Sequence, residues 1–268
     1  MKKYYEREKV KRIVGLEEIP AEVRIQYLRP GEILSIQEKF PVAYQPIGTL
    51  EWHGRQNPIG CDAIKSENLC VEAAKITGGA VMPAIYFATD AYRDIGHGTG
   101  YGMDAAAGFL LPGSFYPASE ELLKDILANA CENYLSRGFR LVVIVSGHNA
   151  IRQQYALDEV VHMFKDDEGF EPVCATMEYS VLDIGDPRRH SDHAGYYETS
   201  MMMLLTGRAK ISANDGKEQP MLAVNTSKPV SESTAEEAKI YFDLQIKGMA
   251  KFVTKKYDEL INHPAYSE

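Results

Sequence analysis

Short apolar runs alternate with longer mixed segments along the chain. Four runs have the length of buried strands, at residues 42–47, 80–85, 140–146 and 172–179. The run at 140–146 is rich in β-branched residues, as expected of a central parallel strand. Strands that alternate with helices indicate a layered α/β fold with a mostly parallel sheet. The mixed segments predict helices over residues 32–39, 62–76, 119–136, 149–164 and 234–257, with a methionine-rich helix within 191–205.

Local signals mark helix ends and one long connection. Ser119 is a good N-cap, and Gly78-Gly79 ends the helix that starts near Asp62. Residues 86–117 form a long glycine-rich loop, and a loop of this length in a compact domain is usually functional. Residues 1–40 are expected to form an N-terminal arm, as a lid or a packing element.

Composition narrows the class of protein. The 268 residues are 45% hydrophobic, which suits one core and predicts a single domain over residues 1–268. The net charge of −9 argues against a nucleic-acid partner, which needs a basic surface. No apolar run approaches the ~20 residues of a membrane span, so no membrane partner is expected. Four scattered cysteines and no visible signal peptide predict reduced thiols in a cytoplasmic protein.

A candidate metal site follows the first predicted strand. Glu51 and His53 lie two residues apart, so in an extended segment their side chains point to the same side. Glycines between them and Asp62 allow the chain to fold back. Two carboxylates and an imidazole suit Zn²⁺, Mn²⁺ or Fe²⁺. The alternative is a polar loop with a surface ion pair, but α/β sheets bind ligands beyond the carboxyl ends of their strands.

Three segments resemble, in order, the motifs of the creatininase (creatinine amidohydrolase) family. Residues 46–62, P-I-G-T-L-E-W-H-G-R-Q-N-P-I-G-C-D, resemble its P-x-G-S-x-E-Q-H-G-P-H-L-P-x-G-T-D. Residues 142–149, V-V-I-V-S-G-H-N, resemble its strand followed by N-G-H. Residues 192–200, D-H-A-G-Y-Y-E-T-S, resemble its D-H-A-G-x-x-E-T-S. The resemblance implies a three-layer α/β/α architecture with a mostly parallel central sheet.

The resemblance also implies two divalent metal ions, Zn, Mn or Fe, and a role for each ligand. It makes Glu51 a ligand of one ion and His53 a ligand of the other. Asp62 bridges both ions. His148 binds the ion that Glu51 binds; from the residues alone, a turn histidine bonded to the backbone is the alternative.

One ligand of creatininase is missing, because Ala150 stands where that enzyme has a glutamate that binds the second metal. Glu198 is the candidate to fill this gap, either as a metal ligand or as a proton shuttle. The resemblance makes His193 the general acid/base. Asp192 is a possible orienting partner for an imidazole. His190 is expected to be structural.

The residues that contact substrate in the family are harder to assign to positions of this chain. The family has a histidine in this glycine-rich segment, but alanines stand at its expected position here, within Ala105–Ala107. His97 is the candidate that takes the place of this histidine. Trp52 and Tyr101 are further candidate contacts for a ring-shaped substrate. For the tyrosine, packing at a half-buried edge is the more ordinary interpretation.

The leading functional hypothesis is a metal-dependent hydrolase in which metal-activated water attacks the carbonyl of a small cyclic or linear amide. An alternative is ring opening of a cyclic keto-polyol by cleavage of a carbon–carbon bond, since the family includes inosose hydrolases. An alternative of another class is a non-catalytic scaffold that binds a metal or a ligand. The resemblance further implies a homo-oligomer, with a hexamer expected.

Overall fold

The computed structural model describes residues 6–186, 189, 191–211 and 225–264. Four of the strands form a parallel sheet in which the first strand lies between the second and the fifth, and the fifth pairs with the sixth. The third and fourth strands form a separate antiparallel hairpin. The strands in the described residues are β1 (Val42–Ile47), β2 (Ala80–Val81), β3 (Tyr92–Asp94), β4 (Thr99–Tyr101), β5 (Leu141–Ser146) and β6 (Val173–Met177).

Helices cover both faces of the parallel sheet. The predicted helices are present with small shifts at their ends, and Ser119 caps its helix by accepting a hydrogen bond from the amide of Leu122 at 3.2 Å. The helices in the described residues are α1 (Arg7–Val14), α2 (Pro30–Lys39), α3 (Cys61–Thr77), α4 (Gly102–Ala107), α5 (Glu120–Ser136), α6 (Ile151–Met163), α7 (Tyr196–Thr206) and α8 (Ala235–Ile261).

Alternate residues of the central strands face two hydrophobic cores. Val42 and Tyr44 of β1 belong to the core formed with α3, α7 and α8. Ala43 and Ile47 of the same strand belong to the core formed with α2, α5 and α6. This alternation is what a strand buried on both faces requires. The predicted three-layer α/β/α fold with a mostly parallel sheet is therefore confirmed.

The strand predicted over residues 80–85 is shorter than expected. Regular pairing is limited to Ala80–Val81, with one further bridge between Ile47 and Ile85. Pro83 lies between these two points and has no N–H to donate to a ladder, which explains the interruption.

The glycine-rich segment 86–117 was predicted as one loop, and this prediction is wrong in part. It contains the β3–β4 hairpin and the short helix α4. Gly96 and Gly98, in the turn of the hairpin, have φ values of 86° and 137°, which other residues rarely adopt. Short strands of three residues give too weak a hydrophobic pattern to be recognised.

The N-terminal arm packs on the body of the protein. Leu34 and Ile36 of α2 are buried, and Ile36 belongs to the core beside β1. Arg7 and Lys11 of α1 form ion pairs with Glu38 of α2 at 2.8 and 2.7 Å. In the described part of the chain, no helix has the length and apolar character needed to span a bilayer.

Two glycines bring the start of α3 against the ends of β1 and β5. A Cβ atom on Gly48 would lie 2.2 Å from the amide nitrogen of Ala63. A Cβ atom on Gly147 would lie 2.0 Å from the carbonyl oxygen of Asp62. Both contacts are with backbone, which cannot rotate away, so no side chain fits at either position. These close approaches place Asp62 between the ends of the two central strands.

We predict that Gly147→Ala lowers the free energy of unfolding by about 2 kcal/mol or more, because the methyl group would push the first turn of α3 away from β5. Gly60→Ala is the matched control. Its Cβ would meet only side-chain atoms at 3.3 Å or more, so we expect a loss below about 1 kcal/mol. Urea denaturation measures both variants, and equal losses would show that the contact with Asp62 is not the constraint.

Candidate metal centre

Three connections meet at the carboxyl edge of the central sheet, where the sequence predicts the site. The first runs from β1 to α3, the second from β5 to α6, and the third leads into α7. Because β1 and β5 are neighbours in full register, the first two connections begin side by side. Of the predicted site residues, Glu51 and His53 lie on the first connection, and Asp62 follows them in the first turn of α3. His148 lies on the second connection. His193 lies on the third, and Glu198 follows it in the first turn of α7.

Asp62 lies between two imidazole rings. Its Oδ1 is 3.1 Å from Nε2 of His53, and its Oδ2 is 3.1 Å from Nδ1 of His148. The three residues are almost inaccessible to solvent, with exposed fractions of 2%, 0% and 6% for Asp62, His53 and His148. The position of Asp62 in the first turn of α3 adds a favourable interaction with the helix dipole. Each carboxylate oxygen thus faces a different imidazole, as in a carboxylate that bridges two ions.

Glu51 uses its two carboxylate oxygens differently. Its Oε1 accepts the amide of Met103 at 3.2 Å. Its Oε2 is buried, has no hydrogen-bond partner among the described residues and lies 3.5 Å from Nδ1 of His148. The backbone carbonyl of Glu51 accepts a hydrogen bond from Nδ1 of His53 at 3.1 Å. This bond fixes the proton of Nδ1, so in a neutral ring Nε2, which faces Asp62, is the nitrogen that can offer a lone pair to a cation.

The carboxylates create a negative potential around both rings. Burial alone would lower the pKa of His53, but Asp62 and Glu198 outweigh it and raise that pKa to about 10. Burial is likewise outweighed at His148, where the hydrogen bond to Asp62 raises the pKa to about 9. Burial would raise the pKa of Asp62, yet the two histidines hold it well below its usual range. The site therefore favours positive charge, which metal ions can supply.

Behind Asp62, the ammonium group of Lys65 is buried among carboxylates. It forms a short ion pair with Oε1 of Glu198 and lies 3.2 Å from Oε1 of Glu178. It is also 3.7 Å from Oδ1 of Asp62. Burial would lower the pKa of Lys65, but Glu178 and Glu198 keep it well above its usual value. Lys65 therefore stays charged and neutralises part of the negative charge.

The D-H-A-G segment fixes Glu198 at the centre. Oε2 of Glu198 accepts the amide of Ala194 at 2.7 Å and lies 3.6 Å from Nε2 of His53. Ala194 has a φ of 52°, a left-handed conformation that is uncommon outside glycine. Asp192 accepts the amides of Tyr197 and Glu198 at 2.8 and 3.2 Å. Asp192 thus caps α7, a role different from the predicted orientation of an imidazole.

His193 lies against His53, with 4.3 Å between the ring centroids. Nε2 of His193 donates a hydrogen bond to the carbonyl oxygen of Trp52 at 2.7 Å, which leaves Nδ1 with the lone pair of the neutral ring. Trp52 thus contributes its backbone here. Its half-buried side chain, predicted to contact substrate, is not among the groups that line the cavity described next. His190 lies outside the described residues.

A cavity of about 300 Å³ opens over these side chains. Tyr101 lines an adjoining recess together with Glu51 and His148, which suits its predicted substrate contact. His97 is exposed in the turn between β3 and β4 and does not line the cavity or the recess. The polar residues that line the cavity are Glu51, Asp62, Asp90, His148, Asn149, Ser191, Asp192, His193, Glu198 and Asn225.

Two charged residues of the site were not predicted from the sequence. Lys65 follows Asp62 by three residues on α3, so the helical spacing alone places it on the same face. Asp90 lies in the segment 86–117, and its Oδ2 is 3.5 Å from Nε2 of His148. Neither residue belongs to one of the three motifs, so the motifs gave no reason to predict either of them.

The donors fit divalent metal ions. A buried carboxylate oxygen without a partner, such as Oε2 of Glu51, is costly unless a cation balances its charge. Mixed carboxylate and imidazole donors suit Zn²⁺, Mn²⁺ and Fe²⁺. In the described residues, three groups have donor atoms within 4.8 Å of one another: Glu51, Asp90 and His148; Glu51, His53 and His193; and His53, Cys61 and Glu198.

Comparison with known proteins identifies the relatives of this chain. The sequence profile of the creatininase family, described as creatinine amidohydrolase, matches residues 26–253. A 3-dehydro-scyllo-inosose hydrolase from Thermotoga maritima is 24% identical over 147 residues, which are 55% of this chain and 42% of that protein. The matched part is therefore less than half the length of this curated relative.

Solved creatininase structures share the fold. A manganese form of creatininase is 16% identical, with a TM-score of 0.67 over 88% of this chain and 98% of its own. A mutant creatininase of the Zn-Zn type is 16% identical, with a TM-score of 0.66 over the same shares of the two chains, 88% and 98%. The family profile covers all three motifs from which the site is built. This chain therefore belongs to the creatininase family.

Proposed function

We propose that this protein is a metal-dependent hydrolase that uses two divalent ions to cleave a small polar substrate at a carbonyl group. The observation that supports it most directly is the placement of Asp62, whose two carboxylate oxygens each lie 3.1 Å from a different imidazole nitrogen. In this proposal Glu51 and His148 would hold one ion, His53 and Glu198 would hold the other, and Asp62 would serve both. Zn²⁺, Mn²⁺ and Fe²⁺ suit these donors.

Glu198 is assigned as a ligand in preference to a proton shuttle. The ion pair with Lys65 and the amide of Ala194 fix both of its oxygens. Burial would raise the pKa of Glu198, but Lys65 and His53 lower it below its usual value. A carboxylate that is held in place and ionised is suited to bind a cation, whereas a shuttle must rotate and take up a proton.

Divalent ions bound by these residues would polarise a substrate carbonyl and lower the pKa of a water molecule. The proton transfers fall to His193, which lines the cavity. Its Nε2 is bonded to the carbonyl of Trp52, so Nδ1 is free to accept the proton of the attacking water and pass it to the leaving group. Water adds to the carbonyl carbon, the bond to the leaving nitrogen or carbon breaks, and that atom receives the proton.

Two substrate classes fit this chemistry. The first is a small cyclic or linear amide, in keeping with the family. The second is a cyclic keto-polyol, opened by cleavage of the bond between the carbonyl carbon and its neighbour. Two observations favour it: one relative is a 3-dehydro-scyllo-inosose hydrolase, and polar groups that can bond hydroxyls line much of the cavity. A non-catalytic scaffold is disfavoured, because purely structural metal sites are usually closed.

We predict that Asp62→Ala loses more metal than His53→Ala. A bridging carboxylate serves both ions, whereas His53 serves one. Elemental analysis of the purified variants after identical metal loading measures the difference, with circular dichroism to confirm that both are folded. Full occupancy in the folded Asp62 variant would refute the bridging role.

We predict that His193→Ala retains its metal and loses about 10²–10⁴-fold in kcat on the true substrate, the usual contribution of a general acid/base group. His162→Ala, which removes an exposed histidine on α6, is the control and is expected to leave kcat unchanged. Metal content and steady-state kinetics are measured on the same preparations. A His193 variant with near-normal turnover would contradict the proposed proton transfer.

We predict that creatinine is a poor substrate, with kcat/KM below the ordinary enzyme range of about 10⁴ M⁻¹s⁻¹. Ala150 and the segment 86–117 depart from creatininase in positions that shape the pocket. The zinc- and manganese-loaded enzyme is tested on creatinine, lactams, formamides and inososes. Turnover of an amide or an inosose selects between the two classes. Absence of turnover by the metal-loaded protein across the panel would count against both.

A further inference from the structure

Asp90 approaches the His148 ring at a different nitrogen from Asp62 and Glu51. Nδ1 of His148 is 3.1 Å from Oδ2 of Asp62 and 3.5 Å from Oε2 of Glu51. Nε2 of the same ring is 3.5 Å from Oδ2 of Asp90. The two nitrogens of an imidazole point away from each other, so an ion shared by Glu51, Asp62 and Nδ1 would lie on the side opposite to Asp90.

A histidine that binds a metal needs a lone pair on one nitrogen, and a neutral ring then carries its proton on the other. The second nitrogen of a ligating histidine usually donates that proton to a carboxylate or a carbonyl, which fixes the ring and makes it a better ligand. His53 already shows this pattern, because its Nδ1 bonds to the carbonyl of Glu51 at 3.1 Å. At His148 the carboxylate of Asp90 faces the second nitrogen, with its Oδ2 3.5 Å from Nε2.

Contacts on either side hold Asp90 in this place. The amide of Thr89 donates to Oε1 of Gln153, a fully buried residue of α6, at 3.1 Å. The carbonyl of Ala91 accepts the amide of Gly102 at 2.9 Å, and the amide of Ala91 donates to Oδ1 of Asp90 at 2.6 Å. Asp90 therefore approaches His148 from a segment that is anchored before and after it.

Because residue 102 is a glycine, the carboxylates of Asp90 and Glu51 have room beside its backbone. A Cβ atom on this glycine would lie 2.4 Å from Oε1 of Glu51 and 2.8 Å from Oδ2 of Asp90. Its φ of 51° also favours glycine. The glycine in this segment thus leaves room for the carboxylates of both Glu51 and Asp90 beside His148.

We propose that Asp90 is a positioning residue of the metal centre: it accepts a hydrogen bond from Nε2–H of His148 and thereby presents Nδ1 to the ion that Glu51 and Asp62 would bind. The proposal rests on the two-metal function above. It assigns Asp90 an indirect role, through His148. The rival arrangement is direct ligation, with an ion between Glu51, Asp90 and Nε2 of His148. Each of these three residues offers a donor atom within 4.8 Å of those of the other two.

The nitrogen that carries the proton distinguishes these arrangements. In zinc-loaded protein labelled with ¹⁵N-histidine, long-range ¹H–¹⁵N NMR shows which nitrogen of His148 bears a hydrogen, with the signal assigned by its loss in His148→Gln. We expect a hydrogen on Nε2 and zinc on Nδ1. A hydrogen on Nδ1 with zinc on Nε2 would overturn the proposal and favour direct ligation.

Zinc affinity tests the same role independently of turnover. Asp90→Ala is expected to weaken zinc binding by about 10–100-fold, the usual effect of removing the partner of a ligating histidine. Asp90→Asn retains an oxygen acceptor and is expected to lose less. Asp158→Asn, which removes an exposed carboxylate on α6, is the control for net charge.

The outcomes separate this proposal from the function on which it rests. If the unaltered protein binds no divalent ion, the two-metal function fails and the role of Asp90 fails with it. If the unaltered protein binds zinc and Asp90→Ala binds it equally well, only the role of Asp90 is overturned. A loss in Asp90→Asn as large as that in Asp90→Ala would also contradict it, because an amide oxygen can still accept a hydrogen bond from Nε2–H.

Discussion

The structure depends on how several carboxylates are held together, away from water, at one edge of a parallel sheet. Asp62, Glu178 and Glu198 are each less than 10% exposed, and isolated charges in such a place are strongly disfavoured. Lys65 supplies one balancing charge from within the protein. The raised pKa values of the two histidines show that more positive charge is favoured beside Asp62. In the proposed function, bound metal ions would be part of the electrostatic balance as well as of the chemistry.

That charge cluster is possible because backbone segments approach one another very closely. Gly48 and Gly147 leave no room for a Cβ atom against the first turn of α3, so Asp62 reaches the ends of β1 and β5. The ends of these strands are aligned by their register, with Ile47 opposite Ser146. The first turn of α3 adds the favourable dipole of a helix N-terminus to the carboxylate. The fold thus positions Asp62, the proposed bridging ligand, through main-chain geometry, and the other candidate ligands are arranged around it.

The parts of the structure that could be predicted from the sequence are those with a strong local pattern. The buried strands 42–47 and 140–146 were identifiable because a strand inside a parallel sheet is apolar throughout. The alternation of such strands with helices indicated a layered α/β architecture. The ligands that follow them were identifiable because motif and strand end coincide. The hairpin within 86–117 was missed because its strands are three residues long. Asp90 and Lys65 were missed because each is a single residue whose meaning depends on distant partners, which only the tertiary structure reveals.

The two halves of the metal centre are constrained differently. The half around His53 and Glu198 is enclosed by α3 and α7, which contribute residues to the hydrophobic core beneath, and by the ion pair between Lys65 and Glu198. The half around Glu51 and His148 is in contact with the segment 86–117, through the amide of Met103 and the carboxylate of Asp90. This segment also lines the cavity. Changes in it would therefore affect the proposed substrate contacts and the surroundings of one proposed metal site at the same time. Substrate preference within this fold can therefore shift without disturbing the enclosed half, provided that the segment still supports Glu51 and His148.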